Sequence, residues 1–179
     1  MFSDIWANGP ALAIISSMLG PNPCVNFVGG NTVLGNFKGV RQNVHPDLTF
    51  NHGMIPFAYC ANVYLDDTNT ENGSTELWLG SHRDCSYAQL WHAGIPSRSP
   101  NPRMMLAFVH TAWWYECPIK VLFSESARLL VEQWAKKKHP VMYNAHFVPD
   151  GLDHPPFTPN FDSENVAFRA LLPKMEKEN

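Results

Sequence analysis

The sequence has no pair of cysteines at C-x-x-C spacing; Cys24, Cys60, Cys85 and Cys117 are scattered singly along 179 residues. That excludes a zinc ribbon or a thioredoxin-type redox pair. It fits reduced thiols better than a disulfide framework, and the expected location is cytoplasmic. Charge is also scarce, at 16% of residues, where soluble domains average about 25%. No basic excess exists: 13 Lys and Arg stand against 16 Asp and Glu, a net charge of −3. The one basic run, Lys136-Lys137-Lys138, suits the end of a helix, where cations meet the negative end of the macrodipole. Nucleic-acid binding is therefore not expected. No apolar run reaches the ~18 residues that span a bilayer, and the start Met1-Phe2-Ser3-Asp4 lacks the positive region of a signal peptide. Neither repeat nor linker interrupts the chain, so one domain over 1–179 is expected.

What is abundant is apolar surface: 45% hydrophobic and 12% aromatic residues, six of them Trp. That composition excludes disorder for the bulk of the chain. Leu12, Ile15 and Leu19 recur at helical spacing after Asp4, the expected cap, with Gly9-Pro10 as a break or restart and Gly20-Pro21 as a stop. Short segments follow, punctuated by glycine: Cys24 to Val28, Thr32 to Leu34 and Gly39 to Val44. Pro56 to Leu65 reads as a buried strand, Asp67 to Ser74 as a polar turn and Thr75 to Leu79 as a further strand. Leu90 to Ala93 and Arg103 to Thr111 read as a hairpin closed by Ile95 to Pro102. A helix is expected from Ser124 as N-cap through Lys138, with Leu129, Val131 and Trp134 near one face. Residues 149 to 165 read as irregular. The fold class is mainly β, a jelly roll or cupin-like double-stranded β-helix with flanking N- and C-terminal helices.

Within this frame His45-Pro46-Asp47 is the first chemical candidate. In an extended strand, residues i and i+2 face one way, so imidazole and carboxylate can address one metal ion. A third ligand must come from a distant strand. His82 suits a turn, His110 sits in an apolar strand and suits a core, and His139 follows the lysine run. His146 and His154 lie in or near the irregular tail. His92 differs because Arg103 lies across the loop from it, beside it if the hairpin closes. A buried arginine is costly without an anion, and its planar fork suits a carboxylate. Two histidines and a carboxylate form the facial triad of non-haem Fe(II) oxygenases, which leaves positions for a chelating 2-oxo acid and O₂. Arg103 would hold the far carboxylate of that acid.

The runs R-Q-N-V-H-P-D-L, D-D-T-N-T-E-N-G-S-T-E-L-W-L-G-S-H-R and L-W-H-A-G-I-P-S-R-S-P-N-P-R together resemble the phytanoyl-CoA dioxygenase family. The likeness is to its fungal members, many of which serve natural-product pathways, and it covers most of residues 4 to 165. The resemblance implies a double-stranded β-helix using Fe(II), 2-oxoglutarate and O₂, with His45, Asp47 and His92 as iron ligands. It implies that Arg103 pairs with the distal carboxylate of 2-oxoglutarate and that Gln42 and Thr75 contact the same cosubstrate. Asn72 and Gly73 would shape the turn before Thr75, and His82 would be structural. The implied reaction is decarboxylation of 2-oxoglutarate to succinate and CO₂, coupled to hydroxylation or desaturation of a small, mostly apolar organic substrate. Against that family the chain is short at its start and between Arg83 and Leu90, so the roll is expected to lack one strand. Unpaired edges would then invite a homodimer, and a shortened, catalytically inactive paralogue acting as a binding module is the alternative. A cupin-like isomerase or hydrolase using the same triad is a third reading; Arg103 and the Asn72–Thr75 turn argue against it.

Overall fold

The computed structural model describes residues 3–37, 39–47, 56–83, 90–117, 120–137, 141–143 and 145–151. The described residues are mainly β with few helices. Their elements are α1 (Ser3–Trp6), α2 (Gly9–Leu19), β1 (Cys24–Val33), β2 (Ala58–Tyr64), β3 (Thr75–Leu77), β4 (His92–Gly94), β5 (Arg103–Thr111), β6 (Val121–Ser124), α3 (Arg128–Lys136), β7 (Met142–Tyr143) and β8 (Ala145–Val148). Three open sheets form, ordered β2-β5-β1-β7, β3-β4 and β6-β8. The chain divides into two compact units, one of Met1–Phe27, Phe57–Tyr59 and Val109–Asn179, the other of Val28–Pro56 and Cys60–Phe108.

In the first unit the expected helix restart occurs at Gly9-Pro10. Pro10 sits in the first turn of α2, where its missing N–H is no loss. The Asn8 side chain caps this helix by accepting from Ala11 N–H at 3.0 Å. Leu12, Ile15 and Leu19 are its buried residues. Gly20 closes it at φ 86°, a conformation that favours glycine. Leu12 packs with Val25 and Val141, and Trp6, Val121 and Tyr143 flank them. Trp6 stacks on Trp134 of α3 with ring centroids 5.0 Å apart. The Tyr143 hydroxyl donates to Val131 O at 2.8 Å, so α3 is tied to β7. Inside the same unit, the buried Asn26 amide donates to the Thr111 hydroxyl, and also to Cys24 O at 3.1 Å.

Several local expectations are corrected here. The pieces around Cys24–Val28 and Thr32–Leu34 form one strand, β1. Ser124 ends β6 and makes no side-chain cap; a 3-10 turn, Glu125–Ala127, precedes α3. The carboxylate serving that turn is Asp150, which accepts from Ser126 N–H at 3.1 Å. Leu129 is 72% exposed while Val131 is buried, because residues two apart on a helix point about 200° away from each other. β6 and β8 pair in parallel, from Val121↔Ala145 to Ser124↔Val148. Parallel neighbours need a long crossover, and the stretch containing α3 supplies it.

In the second unit the Asp67–Ser74 turn is built on side chains. Asn72 donates to Asp67 O at 2.5 Å and accepts from Asn69 N–H at 2.8 Å. Gly73 follows at φ 81°, where a side chain would also meet Val33. The expected hairpin between Leu90–Ala93 and Arg103–Thr111 does not form. β4 pairs antiparallel with β3, Leu77 opposite His92 and Thr75 opposite Gly94, while β5 lies between β2 and β1. The physical reason lies in the intervening loop. Arg98 and Ser99 N–H groups both donate to Glu71 O, at 2.7 and 3.0 Å, and Asn72 bridges Ser97. The loop thus docks on the 67–74 turn instead of folding back on itself. β4 has no edge left for β5, since its second edge carries residues 42–45. His139, His154, the stretch 84–89 and the tail from 152 lie outside the described residues.

Candidate metal centre

Residues 42–45 run along β4. His45 and His92 form an antiparallel bridge in which each N–H donates to the other's carbonyl at 3.0 Å. Directly opposed residues put their side chains on one face, and the two imidazole rings stand 4.7 Å apart between centroids. Asp47, two residues on at a bend, brings its carboxylate to the same place. One donor atom from each of His45, Asp47 and His92 lies within 4.8 Å of the others. The structure therefore brings together the three residues that the sequence singled out.

Each imidazole is oriented through its Nδ1. His45 Nδ1 is 2.7 Å from Asn43 O, and His92 Nδ1 is 3.2 Å from Leu90 O. A carbonyl only accepts, so Nδ1 carries the proton and Nε2 offers its lone pair, the arrangement seen in metal-ligating histidines. Asp47 Oδ1 is 3.4 Å from His92 Nε2. Hydrogen bonding to His92 lowers the Asp47 carboxyl below its ordinary range, and the same contact raises the His92 imidazole. Cys60 is neighbour to this cluster; desolvation and the Asp47 charge push its thiol up to about 11, which leaves it protonated at neutral pH.

Arg103 is 2% exposed. Its Nη2 donates to Gly73 O, and its guanidinium lies 5.4 Å from the centroid of the Tyr64 ring. Nε and Nη1 are buried and have no hydrogen-bond partner among the described residues. Arg103 is not on the strand beside His92, contrary to the hairpin expectation, because β4 and β5 belong to different sheets. Thr75 accepts from the Tyr64 hydroxyl at 3.0 Å, which places a hydroxyl pair in the same neighbourhood. Gln42 faces β4, its Oε1 accepting from Gly94 N–H at 2.9 Å. Outside the centre, His110 is buried on β5, His82 lies in the 3-10 turn Ser81–Arg83 and His146 is on β8.

Sequence reasoning missed Tyr64 and the Arg41–Glu76–Trp78 cluster. Arg41 grips Glu76 with two hydrogen bonds at 2.8 and 2.7 Å, and Trp78 Nε1 donates to the same carboxylate at 2.7 Å. Together they hold the Glu76 carboxyl at about 2. The pair ties the start of the ligand-bearing segment to β3. No spacing signal announces a contact between residues 35 positions apart, and Tyr64 is one aromatic among many on its strand.

No protein-family model matches the chain. Among solved structures, the chain is similar to a non-heme monooxygenase, ThoJ. Its apo form matches with a TM-score of 0.52 at 20% identity, over 62% of this chain and 54% of that one. Its nickel complex matches with a TM-score of 0.52 at 16% identity, over 98% of this chain and 73% of that one. This chain thus spans about half of the first and about three quarters of the second. At such identities the likeness concerns the fold: a mainly β protein built like a non-heme monooxygenase. What this chain adds on its own residues is a two-histidine, one-carboxylate cluster.

Proposed function

We propose that the protein is a non-haem Fe(II)- and 2-oxoglutarate-dependent oxygenase, a double-stranded β-helix acting on a small, mostly apolar organic substrate. The observation that carries this reading is the conjunction of the His45–Asp47–His92 cluster with the buried, under-partnered guanidinium of Arg103. Two imidazoles and one carboxylate suit Fe(II) and leave coordination positions open. A buried cation with two free N–H-bearing nitrogens suits a carboxylate, which would neutralise it and accept from both.

When bound, iron with 2-oxoglutarate and O₂ supplies the oxidising chemistry, yielding succinate, CO₂ and one oxygen atom for the substrate. The chain's own residues bind and orient. His45 and His92 hold the metal through Nε2, and the carbonyls of Asn43 and Leu90 fix their rings. Asp47 supplies the negative charge. Arg103 receives the far carboxylate of the cosubstrate, assisted by Thr75 through its Tyr64-linked hydroxyl. Gln42, its carbonyl engaged by Gly94, retains two N–H donors for a cosubstrate oxygen.

Anaerobic titration of 2-oxoglutarate into Fe(II)-loaded protein tests this. The expected result is a weak visible metal-to-ligand charge-transfer band that is lost in Arg103→Ala, while Asp47→Ala takes up no iron. A folded, iron-bound protein that never develops the band would overturn the cosubstrate assignment in favour of a binding module without this chemistry.

A further inference from the structure

β4 is three residues long and carries His92, so its register depends on what grips its edges. On one side β3 supplies a regular ladder. On the other side the register set by the His45↔His92 bridge would place Asn43 opposite Gly94 in the next hydrogen-bonded pair. The ladder departs from that pattern. Gly94 O accepts from Gln42 N–H at 3.0 Å, and Gly94 N–H donates to the Gln42 side chain, Oε1, at 2.9 Å. The Asn43 carbonyl, thus released from the ladder, lies 2.7 Å from His45 Nδ1. One break in register therefore supplies the acceptor that orients a ligand histidine, and the Gln42 amide oxygen satisfies the strand N–H left behind. Gly94 has the matching property. A Cβ there would stand 3.2 Å from Gln42 Oε1, tighter than ordinary contact.

We propose that Gln42 is a positioning residue of the metal centre: its side-chain carbonyl replaces a main-chain acceptor at Gly94, holding β4 in register for His92 while freeing Asn43 O to orient His45. This rests on reading the triad as a metal centre. It is distinct from cosubstrate contact, which would use the other half of the amide, its two N–H donors. The two roles separate chemically. Glutamate at this position keeps an acceptor for Gly94 but lacks the donors; leucine lacks both.

Metal affinity and strand protection test the assignment without any turnover. Co(II) is titrated into the metal-free full chain, its affinity and ligand-field spectrum are followed, and hydrogen exchange is measured at the Gly94 amide. Gln42→Leu is expected to bind Co(II) roughly 10–100-fold more weakly, as residues that orient metal ligands generally do. Its ligand-field spectrum should change, and the Gly94 amide should exchange faster in the metal-free protein. Gln42→Glu is expected to restore the affinity, spectrum and protection while 2-oxoglutarate binding stays weak. Gly94→Ala should weaken Co(II) binding in the wild-type background and add nothing in Gln42→Ala, the non-additivity of a shared contact. Wild-type Co(II) affinity and spectrum in Gln42→Leu would overturn the proposal, as would a Gln42→Glu variant no better than Gln42→Leu. A wild-type protein that takes up no Co(II) would overturn the metal-centre reading instead, and Gly94 exchange would then decide the clamp on its own.

Discussion

Arg103→Met removes a charge while keeping most of the side-chain length. The residue is 2% exposed, donates to Gly73 O and lies against Tyr64, with Nε and Nη1 unpartnered among the described residues. Losing the charged hydrogen bond costs about 1.5–3 kcal/mol, and losing the contact with the tyrosine face costs about 0.5–2 kcal/mol. Relief of an uncompensated buried charge returns several kcal/mol. These terms cancel to within about 2 kcal/mol, so the ligand-free variant should be as stable as the wild type or more so. The difference appears with ligand. At 2-oxoglutarate concentrations near one hundred times Kd, the metal-loaded wild type gains about 2.7 kcal/mol. For a chain of 179 residues, each kcal/mol shifts Tm by about 2–4 °C, so the wild type should rise by about 5–11 °C. Arg103→Met should not rise. Thermal unfolding of the Zn(II)-loaded proteins, with and without 2-oxoglutarate, reads both quantities. A ligand-free variant destabilised by more than about 3 kcal/mol would refute the view that this guanidinium awaits an anion, and so would equal shifts in the two proteins.

Two further outcomes follow from groups away from the triad. Thr111→Val deprives the buried Asn26 amide of one acceptor and leaves it only Cys24 O; urea unfolding should show a loss of about 1–3 kcal/mol with an unchanged m value. Glu76 has its folded carboxyl depressed from 4.5 to about 2 by Arg41 and then Trp78. Its stabilising contribution is therefore fully present above the ordinary carboxylate range and is lost as pH falls through about 2. Trp78 fluorescence should accordingly stay constant down to pH 3 and change below it. Arg41→Met should move that change up toward the ordinary range, and an unmoved midpoint would deny Arg41 its part.

Much of the candidate site was legible because it is local. His45 and Asp47 are two residues apart, so the chain itself keeps imidazole and carboxylate near each other, and the bend at Asp47 does not separate them. The stop of α2 at Gly20 and its restart at Gly9-Pro10 were readable because they act on backbone groups within one turn, but its cap is Asn8 and not Asp4, which lies within α1. His92 was singled out through a hairpin that the structure does not form, and it lies with His45 and Asp47 all the same. Its actual place follows from β4 lying between β3 and the 42–45 segment. Leu129 was expected near one face with Val131 and Trp134, yet the helix geometry that buries Val131 turns Leu129 outward.

By itself the sequence pointed to the three residues that cluster, the restart and stop of α2 and a mainly β chain with short strands, all consequences of residue type and near-neighbour spacing. Tertiary structure alone decided what completes the centre. Arg103 became a buried, under-partnered cation only when the 67–74 turn closed over it with Gly73 O. Gln42 acquired its grip on Gly94 only when two distant segments met one residue out of regular register. Both outcomes depend on which strand edge is already occupied when another arrives. Such competition is settled among segments tens of residues apart and leaves no mark in the order of amino acids along either one.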